Sequence, residues 1–127
     1  MRFMTLLPSE VRTASPADVE ADELGNPLNI GTFRGLELTI RASAFDGAAA
    51  FTVSIDSFDF SSNAWVQLLS SAPFQTTPES RTLTVLPDIT EVTNLAASRA
   101  VPDRWRVTVD QSGGVSATYS IGAALLR

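Results

Sequence analysis

Polar and apolar residues alternate with a period of two through most of this chain, and that pattern predicts β-strands. Successive side chains of an extended chain point to opposite faces, so each predicted strand would bury one face and expose the other. The apolar positions of five such runs are Leu36, Leu38 and Ile40; Phe51, Val53 and Ile55; Leu83 and Val85; Trp105, Val107 and Val109; and Val115, Ala117, Tyr119 and Ile121.

Turn-forming residues separate these runs. Asp46-Gly47, Ser61-Ser62-Asn63 and Gln111-Ser112-Gly113-Gly114 each fall between two strands, and the last is predicted to close a hairpin. Short strands with this spacing favour an all-β fold, which we expect to be an antiparallel, jelly-roll-like β-sandwich in a single domain over residues 1–127. The roughly eight predicted strands lie at about residues 2–7, 10–14, 33–43, 49–58, 64–70, 80–86, 104–111 and 115–125.

Two segments interrupt the alternation. Residues 15–31 are rich in carboxylates, namely Asp18, Glu20, Asp22 and Glu23, and this composition predicts an acidic surface loop. Residues 1–31 would then form an N-terminal arm followed by that loop. Residues 88–100 are predicted to be a long crossover between the two sheets, with room for one helical turn.

The residue types that most often perform chemistry near neutral pH are missing from the sequence. It contains no histidine, cysteine or lysine. A nucleophilic serine would therefore lack its usual base, and thiolate or imidazole metal sites are excluded. We expect a protein that is not an enzyme and that uses no cofactor.

Carboxylates are the remaining candidates for a catalytic or metal site. Asp56 and Asp59 lie three residues apart on an extended chain, so they are expected to point to opposite faces and to form no shared acid–base pair. Calcium accepts oxygen ligands, but neither the 18–23 segment nor Asp46-Gly47 has the spacing of a known calcium loop. These carboxylates are interpreted as solvated surface groups.

The charge pattern argues against nucleic acids and membranes as partners. The net charge is −5, and the nine basic residues are scattered arginines, which form no basic stripe for a phosphate backbone. No apolar run has the length of a signal peptide or a membrane span, so synthesis in the cytoplasm is expected. A slightly positive mean hydropathy, +0.12, favours an apolar face that is covered in an assembly.

Two groups of side chains are candidates for a binding surface. The tryptophans Trp65 and Trp105, with Tyr119 and the phenylalanines, have two interpretations: core packing, which we favour, or a platform for stacking sugars. Arg104 and Arg106 flank Trp105 on one predicted outward face. Because arginine is enriched at protein interfaces, this pair is a candidate subunit contact.

Five fragments of the chain share a recognisable pattern. They are Val11-Arg12-Thr13-Ala14-Ser15; Phe33-Arg34-Gly35-Leu36-Glu37-Leu38-Thr39-Ile40; Asn63-Ala64-Trp65-Val66-Gln67-Leu68-Leu69; Val101-Pro102-Asp103-Arg104-Trp105-Arg106-Val107; and Ala117-Thr118-Tyr119-Ser120-Ile121-Gly122-Ala123-Ala124-Leu125. In order and spacing, these fragments resemble a family of small tailed-bacteriophage proteins encoded among head genes. The acidic segment at 18–23 departs from the family pattern.

The resemblance implies a virion structural protein, specifically a capsid decoration (cement) protein with a jelly-roll-like fold. It would bind the major capsid protein on the outside of the shell and act as a closed homo-oligomer, with a trimer favoured. Because loops more often carry function than the strands that support them, we expect the contacts to lie in the N-terminal arm and the 15–31 loop. The predicted interface side chains are Arg12, Arg34, Arg104 and Arg106. Two alternatives stay open: a carbohydrate-binding module of a phage tail or fibre, and a tail or head-completion subunit.

Overall fold

The alternating strands form two β-sheets in the computed structural model, which describes residues 1–75, 78–112 and 116–127. The eight strands are β1 (Arg2–Arg12), β2 (Gly35–Asp46), β3 (Ala50–Asp59), β4 (Ala64–Ser70), β5 (Glu79–Val85), β6 (Ala96–Ala97), β7 (Trp105–Ser112) and β8 (Ser116–Leu126).

The strand order defines a β-sandwich. The larger sheet has the order β1-β8-β2-β5-β6 and the smaller has the order β4-β3-β7. All pairings are antiparallel except that of β5 with the two-residue β6. Residues 19–30 lie along the free side of β7, so the smaller layer continues as β4-β3-β7 followed by this segment. That arrangement is jelly-roll-like, and the predicted all-β sandwich is confirmed.

The described apolar residues of the alternating runs lie in the core, together with residues from the other strands and the connecting segments. Leu36, Leu38 and Ile40 of β2 are fully buried, as are Val107 of β7 and Ile121 of β8. Strands that bury every second residue in this way need a second layer to cover their apolar face, and the two sheets supply that cover to each other.

The first two predicted strands are one continuous strand. β1 crosses Pro8 with register shifts between Thr5 and Leu7 and between Leu7 and Glu10. Proline cannot donate a ladder hydrogen bond, and an edge strand with bulges is where it is tolerated. The predicted break at residues 8–9 is therefore not a gap between two strands. β1 continues through it, with two register irregularities.

The acidic segment at 15–31 is bonded to the smaller sheet and is not a free arm. The Val19 amide donates to the Val107 carbonyl at 2.8 Å, and the Trp105 amide donates to the Leu28 carbonyl at 3.2 Å. Val19, Leu28 and Ile30 are buried in the common core. These three apolar residues anchor the segment, while most of its carboxylates stay at the surface.

Two predicted connections are corrected or refined. The predicted hairpin turn Gln111-Ser112-Gly113-Gly114 includes residues 113 and 114, which lie outside the described residues, but its flanking strands β7 and β8 belong to different sheets. The prediction that these strands pair as a hairpin is therefore wrong. Residues 88–100 form the expected crossover and contain β6, which lies parallel to the end of β5.

Tyr119 is fully buried beside Arg12. Its ring lies 4.1 Å from the Phe51 ring between centroids, and its hydroxyl donates to Gln111 Oε1 at 3.3 Å. The Arg12 guanidinium lies 4.6 Å from the ring centroid. Desolvation by burial raises the pKa of Tyr119 to about 12, against a smaller opposing effect of Arg12.

Alkaline titration of this phenol should report its burial directly, since Tyr119 is the single tyrosine in the sequence. We expect tyrosinate absorbance of the folded protein to rise with a midpoint near pH 12, against about 10 in denaturant. Because the folded-state pKa is the higher one, the contribution to stability is complete below pH ~10 and is lost between ~10 and ~12. A folded-state midpoint at the ordinary value would contradict the burial of Tyr119.

Candidate functional site

Three aromatic and two arginine side chains form a continuous surface at one end of the smaller sheet, on its outer face. Trp65 of β4 pairs with Phe58 of β3. The Phe58 amide donates to the Arg104 carbonyl at 3.0 Å, which brings the start of β7 alongside. Phe60 follows β3 in the turn. We call Phe58, Phe60, Trp65, Arg104 and Arg106 the arginine–aromatic surface.

The rings of this surface contact each other edge to face. The Phe58 centroid lies 4.9 Å from that of Phe60 and 5.2 Å from that of Trp65, with interplanar angles of 74° and 76°. Each such contact is worth about 1 kcal/mol beyond the area it buries. The geometry therefore holds Phe60, which is 68% exposed, in a fixed place although it lies in a turn.

The two guanidinium groups stack on these rings. Arg104 lies 5.0 Å from the Phe58 centroid and 5.1 Å from the Trp65 centroid. Arg106 lies 4.4 Å from the Trp65 centroid. Cations at these distances are attracted by the electron-rich ring faces, so the rings favour these positions of the two guanidinium groups.

Carboxylates from two parts of the chain pair with the arginines. Arg106 Nε donates to Asp56 Oδ2 at 3.0 Å, and its NH1 lies 3.2 Å from Asp18 Oδ2. Arg104 NH2 lies 2.9 Å from Glu20 Oε1. The side chains of Arg106 and Asp56 are 19% and 9% exposed, whereas those of Arg104 and Glu20 are 44% and 46% exposed.

This difference in exposure predicts different roles for the two arginines. Replacing Arg106 by Met leaves the buried Asp56 carboxylate without its strongest partner, so we expect a loss of about 2–3 kcal/mol in the free energy of unfolding. Replacing Arg104 by Met removes an exposed pair and should cost less than about 1 kcal/mol. Urea titration of the two variants measures both values, and equal losses would contradict the assignment.

The turn that carries Phe60 is shaped by Asp59. The carboxylate accepts hydrogen bonds from the Ser62 hydroxyl at 2.7 Å, the Ser61 hydroxyl at 2.8 Å and the Ser61 amide at 3.0 Å. These bonds, that of Ser62 first, hold the pKa of Asp59 below its usual value. Asn63 has a positive φ of 56°, a conformation that asparagine tolerates well.

The four predicted interface arginines lie in three places. Arg104 and Arg106 lie together in the arginine–aromatic surface. Arg34 is exposed, with a single 3.7 Å pairing to Asp88. Arg12 is 8% exposed, and its guanidinium donates to the carbonyls of Pro8 and Tyr119 at 2.7 and 2.6 Å. Arg12 therefore has a structural role within the chain.

Two members of the surface and one ion-pair partner were not predicted. The sequence pattern assigns Phe58 and Phe60, with the other phenylalanines, to the core or to a sugar-stacking platform, although two phenylalanines before a turn and a tryptophan after it are what a two-residue alternation places side by side. Asp56 was interpreted as solvated, yet it is buried because Arg106 lies opposite it in the register of β3 and β7.

Other carboxylates hold local structure. Asp22 accepts hydrogen bonds from the Asn26 and Leu24 amides at 2.9 and 3.0 Å, which hold its pKa below the usual value. This turn borders an open trough of about 480 Å³ on the outer face of the larger sheet, above Gly122 and Ala124. Within the described part of the chain, we find no group of three metal-binding side chains.

Comparison of the chain with protein-family models, with curated proteins and with solved structures finds no match. In residues 1–75, 78–112 and 116–127, no helical segment has the length and apolar character needed to cross a bilayer.

Proposed function

We propose that this protein is a structural component of a tailed-bacteriophage virion, where it decorates the outer surface of the capsid by binding the major capsid protein. The main observation that supports the proposal is the arginine–aromatic surface. Tryptophan and arginine are the residue types that most often dominate protein interfaces. Here the half-buried Trp65 and the partly exposed Arg104 lie beside the exposed Phe60 at one end of a sheet, in a protein without histidine, cysteine or lysine.

Ordering of the surface before binding favours a protein partner. The stacked guanidinium groups have already lost side-chain freedom, so little entropy remains to be lost in the complex. A protein that binds the assembled shell but not its free subunits stabilises the shell by an amount set by its affinity and concentration. Many copies bridging neighbouring subunits would oppose their separation.

The half-buried state of Trp65 favours a protein partner over a sugar. A stacking platform requires an open ring face, but Arg106 and Arg104 lie 4.4 and 5.1 Å from the Trp65 centroid, and the Phe58 ring packs against the same ring at 76°. The exposed ring of Phe60 is a small target beside these groups. We therefore rank the carbohydrate-binding alternative second.

Binding to capsids assembled without this protein tests the proposal. We expect the wild-type protein to co-sediment with such capsids, and the double variant Phe60→Ser, Arg104→Glu to bind at least about 30-fold more weakly, since loss of two interface hot-spot residues costs about 2 kcal/mol or more. Arg106 is left in place because it stabilises the fold.

The matched control is Arg41→Glu, which reverses an exposed arginine of β2, in the other sheet. It should bind capsids like the wild type. Undiminished binding by the double variant would remove the arginine–aromatic surface from the proposal, and failure of the wild type to bind would refute capsid decoration. A mass-spectrometric census of purified virions separates decoration, with a copy number comparable to that of the capsid protein, from a head-completion or tail role with few copies.

A further inference from the structure

The sandwich has four sheet edges, and three of them are covered or irregular. The 19–30 segment bonds along β7. The larger sheet ends beyond β5 in the two-residue β6, and Val92 forms a bridge with Ala96 of that strand. The β1 edge contains Pro8 and two register shifts, and the Glu23 amide donates to its Thr5 carbonyl at 3.0 Å. Such features are the usual protection of an edge strand against pairing.

The fourth edge, β4, has a register shift between Gln67 and Leu69, opposite Asp56 and Ile55 of β3, but its first half, residues 64–67, has none of these features. β4 has the sequence Ala64-Trp65-Val66-Gln67-Leu68-Leu69-Ser70, which includes no charged residue and no proline. Among the described residues, its ladder partner is β3 alone. Residues 91–99 lie beside Leu68 and Leu69, whereas residues 64, 66 and 67 are exposed. Within the described part of the chain, no backbone hydrogen bond joins the outer side of this half to another segment, so its backbone groups can form a further ladder.

The side chain of Val66, at this edge, is only partly covered. It pairs with Ser57, which is 4% exposed, so it points to the core side of the sheet. Val66 is nevertheless 43% exposed, because no strand flanks it on the outside. A further strand at this edge would both complete the ladder and cover Val66.

We propose that two copies of the protein pair through the first half of β4, antiparallel and across a two-fold axis near Val66, and so join their smaller sheets into one six-stranded sheet. An uncharged strand can meet its own copy without like-charge repulsion across the pair. A two-fold contact also buries both free edges at once, which closes the assembly as a dimer and prevents a filament.

The small area of the contact predicts a weak dimer. Four or five residues on each side bury less than the roughly 1,000 Å² typical of a stable interface, so the dimer should dissociate in the micromolar range. The proposal is independent of capsid binding. If the proposed function also holds, the dimer presents two arginine–aromatic surfaces on one face, and both can engage the shell. The two-fold contact predicts a dimer, whereas the family resemblance favours a trimer.

Sedimentation equilibrium of the purified protein tests the pairing. We expect wild-type protein to change from monomer to dimer over about 1–300 µM. Val66→Lys places a charge on the edge and should keep the protein monomeric over that range, with at least a 30-fold weaker association. The matched control is Val11→Lys, the same change at a 65% exposed position on the edge strand of the other sheet, which should dimerise normally.

Circular dichroism establishes that both variants are folded, and hydrogen exchange gives a second readout. The amides of residues 64–67 should become protected as the protein concentration rises, while those at 1–5 should not change. A monomer at all concentrations, a trimer, or a dimer that Val66→Lys leaves intact but Val11→Lys dissociates would each overturn the proposal. Capsid binding is measured separately, so its failure would leave this result unaffected.

Discussion

Replacing Arg12 by methionine is expected to lower the free energy of unfolding by about 3 kcal/mol. The guanidinium of Arg12 donates to the carbonyls of Pro8, Glu10 and Tyr119 at 2.7, 3.3 and 2.6 Å. Methionine keeps most of the apolar stem but leaves these acceptors without their donor, and a buried carbonyl that loses a charged donor costs more than an ordinary hydrogen bond.

Denaturant titration with Arg41→Met as the control measures this effect. Arg41 is exposed, so its replacement should change the free energy of unfolding by less than about 0.5 kcal/mol. Since Arg12 ties the irregular middle of β1 to β8, amide exchange near residues 8–12 should also accelerate more than exchange in β3. Equal stability of the two variants would show that Arg12 is not a structural residue.

Gly35→Ala is expected to destabilise the protein by about 3 kcal/mol or more, through the overlap of a new methyl group with backbone. A Cβ built on Gly35 would lie 2.3 Å from the Val85 carbonyl oxygen and 2.9 Å from the Leu86 Cα. Neither atom belongs to a flexible side chain, so β2 or the end of β5 would have to move. Gly35 is paired with Leu126 in β8, and that ladder would be strained as well.

Gly122→Ala is a control for which the expected change in the free energy of unfolding has the opposite sign. Its added Cβ would meet only the Met4 carbonyl oxygen, at an ordinary 3.7 Å. Because alanine loses less backbone entropy than glycine on folding, this variant should be neutral or more stable by up to about 1 kcal/mol. Thermal or urea unfolding of the two variants checks both signs, and similar stability for both would contradict the close approach of β2 and β5.

The two-residue period was sufficient to predict β2 to β5, β7 and β8, because alternation is a local property of an extended chain. The period split β1 into two strands near Pro8 and did not predict the two-residue β6. It was not sufficient to assign strands to sheets. Gln111-Ser112-Gly113-Gly114 has hairpin composition, yet β7 and β8 lie in different layers. A turn sequence favours a change in chain direction. The sheet that the following strand joins depends instead on the strand edges offered by β1, β2 and β3, which are distant in sequence.

The candidate site was predictable in part. Arg104 and Arg106 on one face follow from alternation, and the structure places them beside Trp65. The burial of Arg12 could not be predicted, because the sequence does not distinguish a buried arginine from an exposed one. The Arg12 guanidinium donates to carbonyls in the irregular part of β1 and to Tyr119 of β8, and this meeting of strands that are distant in sequence is not visible in the local alternation.

The position of β8 between β1 and β2 has a consequence for synthesis. The last strand in chain order lies between the first two, so the larger sheet cannot close while residues 116–126 are still inside the ribosome. Until then β1 and β2 both expose unpaired edges, and long-range pairings of this kind fold slowly. Nascent chains that stall before β8 should therefore be targets for chaperones and proteases, whereas the completed chain should resist both.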